Sequence, residues 1–179
     1  MTAGLMTAEE LLELNIPDKR VELVRGRLIV REPPGFAHGV VAMRIGVSVA
    51  QHVRERDLGL VVAGEAGFTL ARDPDTVRAP DVFFIRKDRV PDPLPLGYAE
   101  MVPDLVVEVL SPGDRAGEVL AKVADWIGAG ARLAWIVDPV RRRARVYRAN
   151  GSDEIVSDSE SLDGEDVLPG FSLALADVL

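Results

Sequence analysis

Cysteine is absent from the 179 residues, and histidine occurs only twice. The first absence removes disulfides, thiolate metal ligands and thiol nucleophiles together. The second leaves any metal centre to rest mainly on oxygen ligands, which favours Mg²⁺ or Mn²⁺ over zinc. No apolar run approaches the ~18 residues needed to span a membrane. The first residues carry no basic segment followed by an apolar run, so no signal peptide is expected and a cytoplasmic protein is the default. There is no phosphate loop, no Ser-His-Asp order and no dinucleotide fingerprint. Repeats, linkers and low-complexity tracts are missing too. Nor is there a surplus of positive charge: the net charge of −8 has the wrong sign for binding nucleic acid non-specifically over the whole surface. Any DNA contact must be focused, or aided by metal ions or an oligomer.

What is present reads as a folded chain. The hydrophobic fraction is 47% and the charged fraction an ordinary 28%, which excludes disorder. The length suits one domain over residues 1–179 with a sizeable core. Thr7-Ala8-Glu9-Glu10 reads as a capping box for a short helix through about Leu14, ended before Pro17. Val21–Val24, a bend at Arg25-Gly26 and Arg27–Val30 form a hairpin pattern. A helix is expected from about Ala37 to Arg56, its stripe set by Val41, Ile45, Val49 and Val53 and its end by Gly59. Short strands at 60–63 and 68–71 flank a turn that holds Glu65, and Asp73-Pro74-Asp75 is a further turn. Two apolar strands follow, Ala79–Ile85 and Asp104–Leu110, separated by a Pro-rich loop. Gly113-Asp114 is expected to cap a helix running to about Ile127, with the apolar stripe Ala116, Val119, Leu120, Val123, Trp126 and Ile127. Gly128-Ala129-Gly130 stops it. Arg132–Val137 is a buried strand, Arg143–Arg148 returns antiparallel, and Asn150-Gly151 signals a hairpin. The acidic stretch 153–166 is expected as an exposed hairpin or loop, with 168–179 packing back as the C-terminal edge. This order predicts an α/β protein of α+β character: one mixed sheet with helices against it. The strand at 104–110, the next helix and the strand at 132–137 form a β-α-β unit with parallel strands.

Two acids stand in strands that otherwise read as core. Asp81 shares a face with Phe83 and Ile85, and Glu108 with Val106 and Leu110. A carboxylate there faces a large desolvation cost unless a protein cation or a metal pairs with it. If the strands are neighbours the two carboxylates can meet at ~5 Å, and they repel unless a cation neutralises them. The plainer alternative is that Asp81 caps a turn after Pro80 and Glu108 pairs with an Arg. Asp104 lies on the face of Glu108, but four residues of strand separate them by ~13 Å, so it starts the strand and drops out. Lys122 sits at the boundary of its helix's apolar stripe, between Val119 and Trp126. It reads either as a snorkelling Lys or as a cation aimed at a phosphate or water beside Glu108. Glu22 lies in the first hairpin. His38 follows a Pro-Gly loop at a helix N-terminus, where anions bind, while His52 has no such context. Arg141-Arg142-Arg143 with Arg145 and Arg148 reads first as a solvated hairpin and second as a phosphate contact.

In order and spacing these segments resemble the Uma-two family of restriction-endonuclease-like proteins, within the PD-(D/E)XK nuclease superfamily. The resembling segments are 21–28, His38-Gly39, Ala79-Pro80-Asp81-Val82, 103–112, Lys122 with Trp126, 129–139 and Leu168-Pro169-Gly170-Phe171. The resemblance implies a restriction-endonuclease-like core in which Pro80-Asp81 is the PD and Glu108, 27 residues later (108 − 81), is the second acid. Leu110 stands where the superfamily has its Lys, and Lys122 matches the family's Lys from the next helix. Trp126 replaces the usual Tyr of that helix, which puts a hydroxyl contact in doubt. The resemblance further implies hydrolysis of DNA phosphodiesters. Asp81 and Glu108 would hold Mg²⁺ or Mn²⁺, Lys122 would orient the water or stabilise developing charge, Glu22 would add a metal or water contact, and His38 a phosphate contact. Such cores often pair, so a homodimer is expected; no protein partner is legible. Two other readings stand beside the endonuclease: a catalytically silent nuclease-fold module, favoured by the acidic balance, and a metal-dependent phosphoesterase acting on a small ester.

Overall fold

A computed structural model describes residues 4–64 and 66–179, so the turn expected at Glu65 lies outside the described residues. The chain begins with helix α1 (Ala8–Glu13). Thr7 accepts from the Glu10 amide and Glu10 accepts from the Thr7 amide, the reciprocal capping box expected from the sequence. Thr7→Ala is expected to cost about 1 kcal/mol and to lower the melting temperature by roughly 2–4 °C; an unchanged melting curve would count against the cap.

Strands β1 (Arg20–Val24) and β2 (Arg27–Arg31) form the expected hairpin. Its bend needs positive φ at both central residues, 50° at Arg25 and 72° at Gly26. A Cβ at residue 26 would meet Leu5 at 2.5 Å, so Gly is required there for space as well as for φ. Helix α2 (Phe36–Arg56) follows and buries Val41, Ile45, Val49 and Val53 on one side. It ends on Asp57 in the left-handed conformation rather than on Gly59, which opens strand β3 (Gly59–Ala63).

The largest departure from the expected order comes next. Strand β4 (Phe68–Ala71) pairs with an unanticipated strand β5 (Thr76–Arg78), and the run expected as one strand from Ala79 begins its pairing only at β6 (Val82–Arg86). Pro80 explains the break, because it has no amide for a ladder. The chain leaves one sheet after Arg78 and enters another at Val82. Instead of one sheet there are therefore three among the described residues: β2-β1-β5-β4, a central six-stranded sheet, and a terminal pair.

The central sheet contains β7 (Leu105–Val109), whose residues are all buried, and β8 (Leu133–Asp138) parallel to it, joined by helix α3 (Ala116–Ala129). Strands β9 (Arg143–Arg148) and β10 (Asp153–Ser157) extend it, giving the order β10-β9-β8-β7-β6-β3. Only the β7–β8 pair is parallel, so the sheet is mixed, with α2 and α3 packed against it, as expected. The acidic stretch takes the hairpin form of the two expected: β10 pairs with β9 and closes the sheet edge, and β11 (Ser161–Asp163) pairs with β12 (Ser172–Ala174). Val156 and Leu162 are the buried residues that hold it down. Two further details differ. Asp114 accepts from the Ser111 amide and closes a turn, while α3 starts at Arg115 without a side-chain cap. Leu120, expected in the buried stripe, is half exposed because the stripe turns toward Val123 and Trp126.

Alternation along β7 divides the core. Val107 and Val109 pack with the α2 residues, whereas Val106 packs with Trp126 of α3. Glu108, between them in sequence, faces the α3 side. A third cluster joins Leu11 of α1 to Leu23 and Val77 of the four-stranded sheet. The seam between the two larger sheets is the place left open.

Candidate active site

Asp81 stands at that seam. Its amide donates to the Val107 carbonyl at 3.1 Å and its carbonyl accepts from Gly64 at 2.9 Å, so the residue is anchored to the sheet just before β6 begins. Its Oδ2 accepts from the Val109 amide at 2.7 Å. Its Oδ1 faces the Arg20 guanidinium and His38 Nε2, each at 3.1 Å. Because β6 and β7 are neighbours, with Val82 opposite Val107, the condition for the two acids to meet is fulfilled and Asp81 lies beside Glu108.

Glu108 accepts from Lys122 Nζ at 2.9 Å on one oxygen and from the Trp126 indole N–H at 3.0 Å on the other. Lys122 and Trp126 are four residues apart, so successive turns of α3 present both donors to one carboxylate. Trp126, without a hydroxyl, contacts Glu108 through its indole N–H. Lys122 also reaches Glu22 Oε1 at 3.0 Å and the Ala79 carbonyl at 3.2 Å. Its ammonium is thus held between two carboxylates, the arrangement of a boundary Lys that buries its stem.

Glu22, Asp81 and Glu108 are buried, and burial alone would raise all three carboxyls. It is outweighed at Glu22 by Lys122 and Arg78, and at Asp81 by the His38 hydrogen bond and the Val109 amide; both carboxyls are held below the ordinary range. At Glu108 burial wins: Lys122 opposes it, but Asp81 and Glu22 add repulsion, and its carboxyl is pushed up to about 7. The Lys122 ammonium, although burial disfavours its charge, is raised by Glu108 and Glu22.

All five residues expected in the site, Glu22, His38, Asp81, Glu108 and Lys122, line one cleft of about 590 Å³. The other candidates stay out of it. Asp104 is buried at the far end of β7, paired with Arg89 at 2.7 Å. His52 bonds the Pro169 carbonyl and packs edge-on to Phe171. The Arg141–Arg148 run forms the β8–β9 turn and strand β9, and Arg141, Arg142, Arg145 and Arg148 pair with acids of the same region.

Two residues went unnoticed in the sequence. Arg20 shares the period-two face of Glu22 on β1, a signal that was available. Arg78 is buried and bridges Glu22 at 2.8 Å and Asp125 of α3 at 2.6 Å. Its strand is only three residues long, and nothing local announces a buried Arg. The Ser111 hydroxyl, 3.3 Å from His38 Nδ1, orients that ring from the other side.

Hard carboxylate oxygens from Asp81 and Glu108, on adjacent strands, are a donor pair suited to Mg²⁺ or Mn²⁺. A divalent cation beside Glu108 would favour its ionised form against burial, the main cause of its raised carboxyl. Among the described residues no three His, Cys, Asp or Glu side chains are gathered as a ready ligand set. Water or substrate oxygens would have to complete the shell.

No curated protein matches the chain. Among solved structures it is similar to the crystal structure of "a putative nuclease belonging to DUF820" from Anabaena variabilis, at 19% identity. The TM-score is 0.85, and the match covers 97% of each chain; at that identity the likeness is one of fold. The model of the family Uma2, described as "Putative restriction endonuclease", matches residues 8–176, and the chain belongs to that family.

Proposed function

We propose that the protein is a metal-dependent endonuclease that hydrolyses DNA phosphodiester bonds in the cytoplasm, as a single domain, using Mg²⁺ or Mn²⁺ held by Asp81 and Glu108. The observation that carries this reading is the convergence of Asp81, Glu108 and Lys122 on one cleft at the seam of two sheets. Membership in a family described as restriction endonucleases supports it. When bound, the divalent ion supplies Lewis-acid polarisation of the phosphate and a lowered pKa for a water. Lys122, fixed from both sides by Glu22 and Glu108, presents its ammonium to the charge that develops on the phosphate. His38 and Arg20, both on Asp81 Oδ1, are the side chains nearest to clamp the phosphate once that oxygen turns to another cation. Glu22 keeps the Lys122 ammonium in place and is close enough to hold a water. Pairing of two copies belongs to the same reading, and sedimentation velocity reads it directly.

A second reading, a module of this fold that binds without cutting, is favoured by one observation. Asp81 and Glu108 each already face a cation of the protein. Incubation with plasmid and with single-stranded DNA in Mg²⁺, Mn²⁺ or EDTA separates the two. Cleavage is expected with either ion, none with EDTA, and Lys122→Ala is expected to slow it by about 10²-fold. Metal binding without cleavage would select the second reading. Cleavage unaffected by Lys122→Ala would remove that residue from the site.

A further inference from the structure

We propose that Arg78 is a positioning residue for the reaction: by tying Glu22 to α3 it keeps the Lys122 ammonium where charge develops on the phosphate. The inference rests on the nuclease reading above and adds to it a residue that touches neither metal nor substrate. Three acceptors surround Lys122 Nζ: Glu108 Oε2 at 2.9 Å, Glu22 Oε1 at 3.0 Å and the Ala79 carbonyl at 3.2 Å. An ammonium has only three N–H donors. To turn one of them to a phosphate, Lys122 must release one of these acceptors. Glu108 is the one that a divalent ion would draw away. Glu22 and the Ala79 carbonyl are then what holds the ammonium in place.

Both of those acceptors are set from Arg78. Ala79 is the next residue, and its amide donates to Glu22 Oε1 at 3.2 Å. The Arg78 guanidinium donates to the other Glu22 oxygen at 2.8 Å. Its remaining edge, Nε at 3.0 Å and a terminal nitrogen at 2.6 Å, donates to Asp125 Oδ2. Asp125 lies three residues beyond Lys122 on α3, so the two side chains leave the same side of the helix. One guanidinium therefore ties β1 to α3 within a turn of Lys122. Only 5% of the Arg78 side chain is exposed, and a charge so buried is costly unless it is paired. The rigid fork lets it serve two carboxylates at once, which an ammonium on a flexible stem does not. Without Arg78, Lys122 is the cation that remains to Glu22 among the described salt bridges. The carboxylate then turns toward Lys122 and draws it from its place beside Glu108.

Two readouts test this, DNA cleavage kinetics in Mg²⁺ and the ammonium resonance of Lys122 in protein labelled with ¹⁵N-lysine. Lysine occurs only at Lys19, Lys87 and Lys122. The first two are more exposed and exchange their ammonium protons with water faster, so at neutral pH a protected signal belongs to Lys122 and vanishes in Lys122→Ala. Arg78→Ala is expected to lower kcat by about 10²-fold, the effect of misplacing a reacting group by ~1 Å. KM should stay within about threefold, since the loss falls on the transition state. Mn²⁺ affinity by calorimetry should not change, and the Lys122 signal should broaden or disappear. Arg78→Lys keeps a buried cation and so guards against misfolding; it should lower kcat by about 10-fold, because it loses the fork. Wild-type kcat in Arg78→Lys, or an intact Lys122 signal in a slowed variant, would overturn the proposal, whatever happens to the melting temperature. A wild type that cuts no DNA would overturn the nuclease reading and the catalytic part of this one. Loss of the Lys122 signal in Arg78→Ala would still uphold the tether.

Discussion

Asp81→Asn is expected to lower Mg²⁺-dependent DNA cleavage by at least ~10³-fold, because a metal acting on a phosphate is worth several kcal/mol of transition-state stabilisation. Asn retains the shape and can still accept from the Val109 amide, the contact that anchors this side chain to β7. What it removes is the negative charge opposite Arg20 and His38, and with it one of the two proposed metal ligands. Titration of Mn²⁺ by calorimetry should lose affinity in parallel with activity, so the loss can be assigned to the metal and not to misfolding. A variant that still cuts at the wild-type rate would take Asp81 out of the site. One that binds Mn²⁺ as before but does not cut would place Asp81 at the water or phosphate instead.

The second large effect concerns stability against pH. The Glu108 carboxyl is pushed up to about 7 in the folded protein, mainly by burial and then by Asp81 and Glu22. Its unfolded counterpart titrates in the ordinary glutamate range. The folded state therefore holds this proton more tightly. The resulting stability is fully present below the unfolded pKa and is lost as pH rises through the folded one. A displacement of that size corresponds to roughly 3 kcal/mol at 1.36 kcal/mol per pH unit. Urea unfolding in EDTA at pH 5 and pH 8 should show wild type losing about that much relative to Glu108→Gln, which cannot ionise and keeps one acceptor oxygen, for either Lys122 or Trp126. Adding Mn²⁺ at pH 8 should restore wild type and leave Glu108→Gln nearly unchanged. Parallel pH profiles for the two proteins would mean that Lys122 neutralises Glu108 completely. The same experiment bears on activity, since Glu108 must be ionised to hold a cation, and cleavage is expected to rise from pH 6 to 8.

The apolar runs around Asp81 and Glu108 were legible because β-branched and aromatic residues bounded by proline signal buried strands, and an acid inside such a run calls for a partner. Lys122 was legible as a boundary position from helical periodicity alone. The break at Pro80 was partly visible, since proline ends a ladder. That the chain changes sheets there was not, because the partner of Thr76–Arg78 lies some fifty residues upstream, where Leu23 pairs with Val77. Arg78 became interpretable only once that pairing brought it between Glu22 and Asp125. The acidic segment 153–166 was legible as an exposed hairpin or loop, but not as an edge of the central sheet: its charges mark the solvent face, while Val156 and Leu162, too sparse to form a pattern, carry the packing.

Taken alone, the residues determined that an α/β fold forms, where most of its strands and helices lie, and that Asp81 and Glu108 sit where a bare carboxylate is costly. These are consequences of local periodicity and of desolvation, which act on each segment by itself. Tertiary structure alone decided what satisfies those carboxylates. Lys122 and Trp126 come to Glu108 from the following helix, and Arg20 and His38 to Asp81 from a hairpin and a helix 61 and 43 residues away. Pairing of charges depends on distances of about 3 Å between elements remote in the chain, and those distances are set by the packing of helices α2 and α3 and the first hairpin around the central sheet, not by the order of the residues.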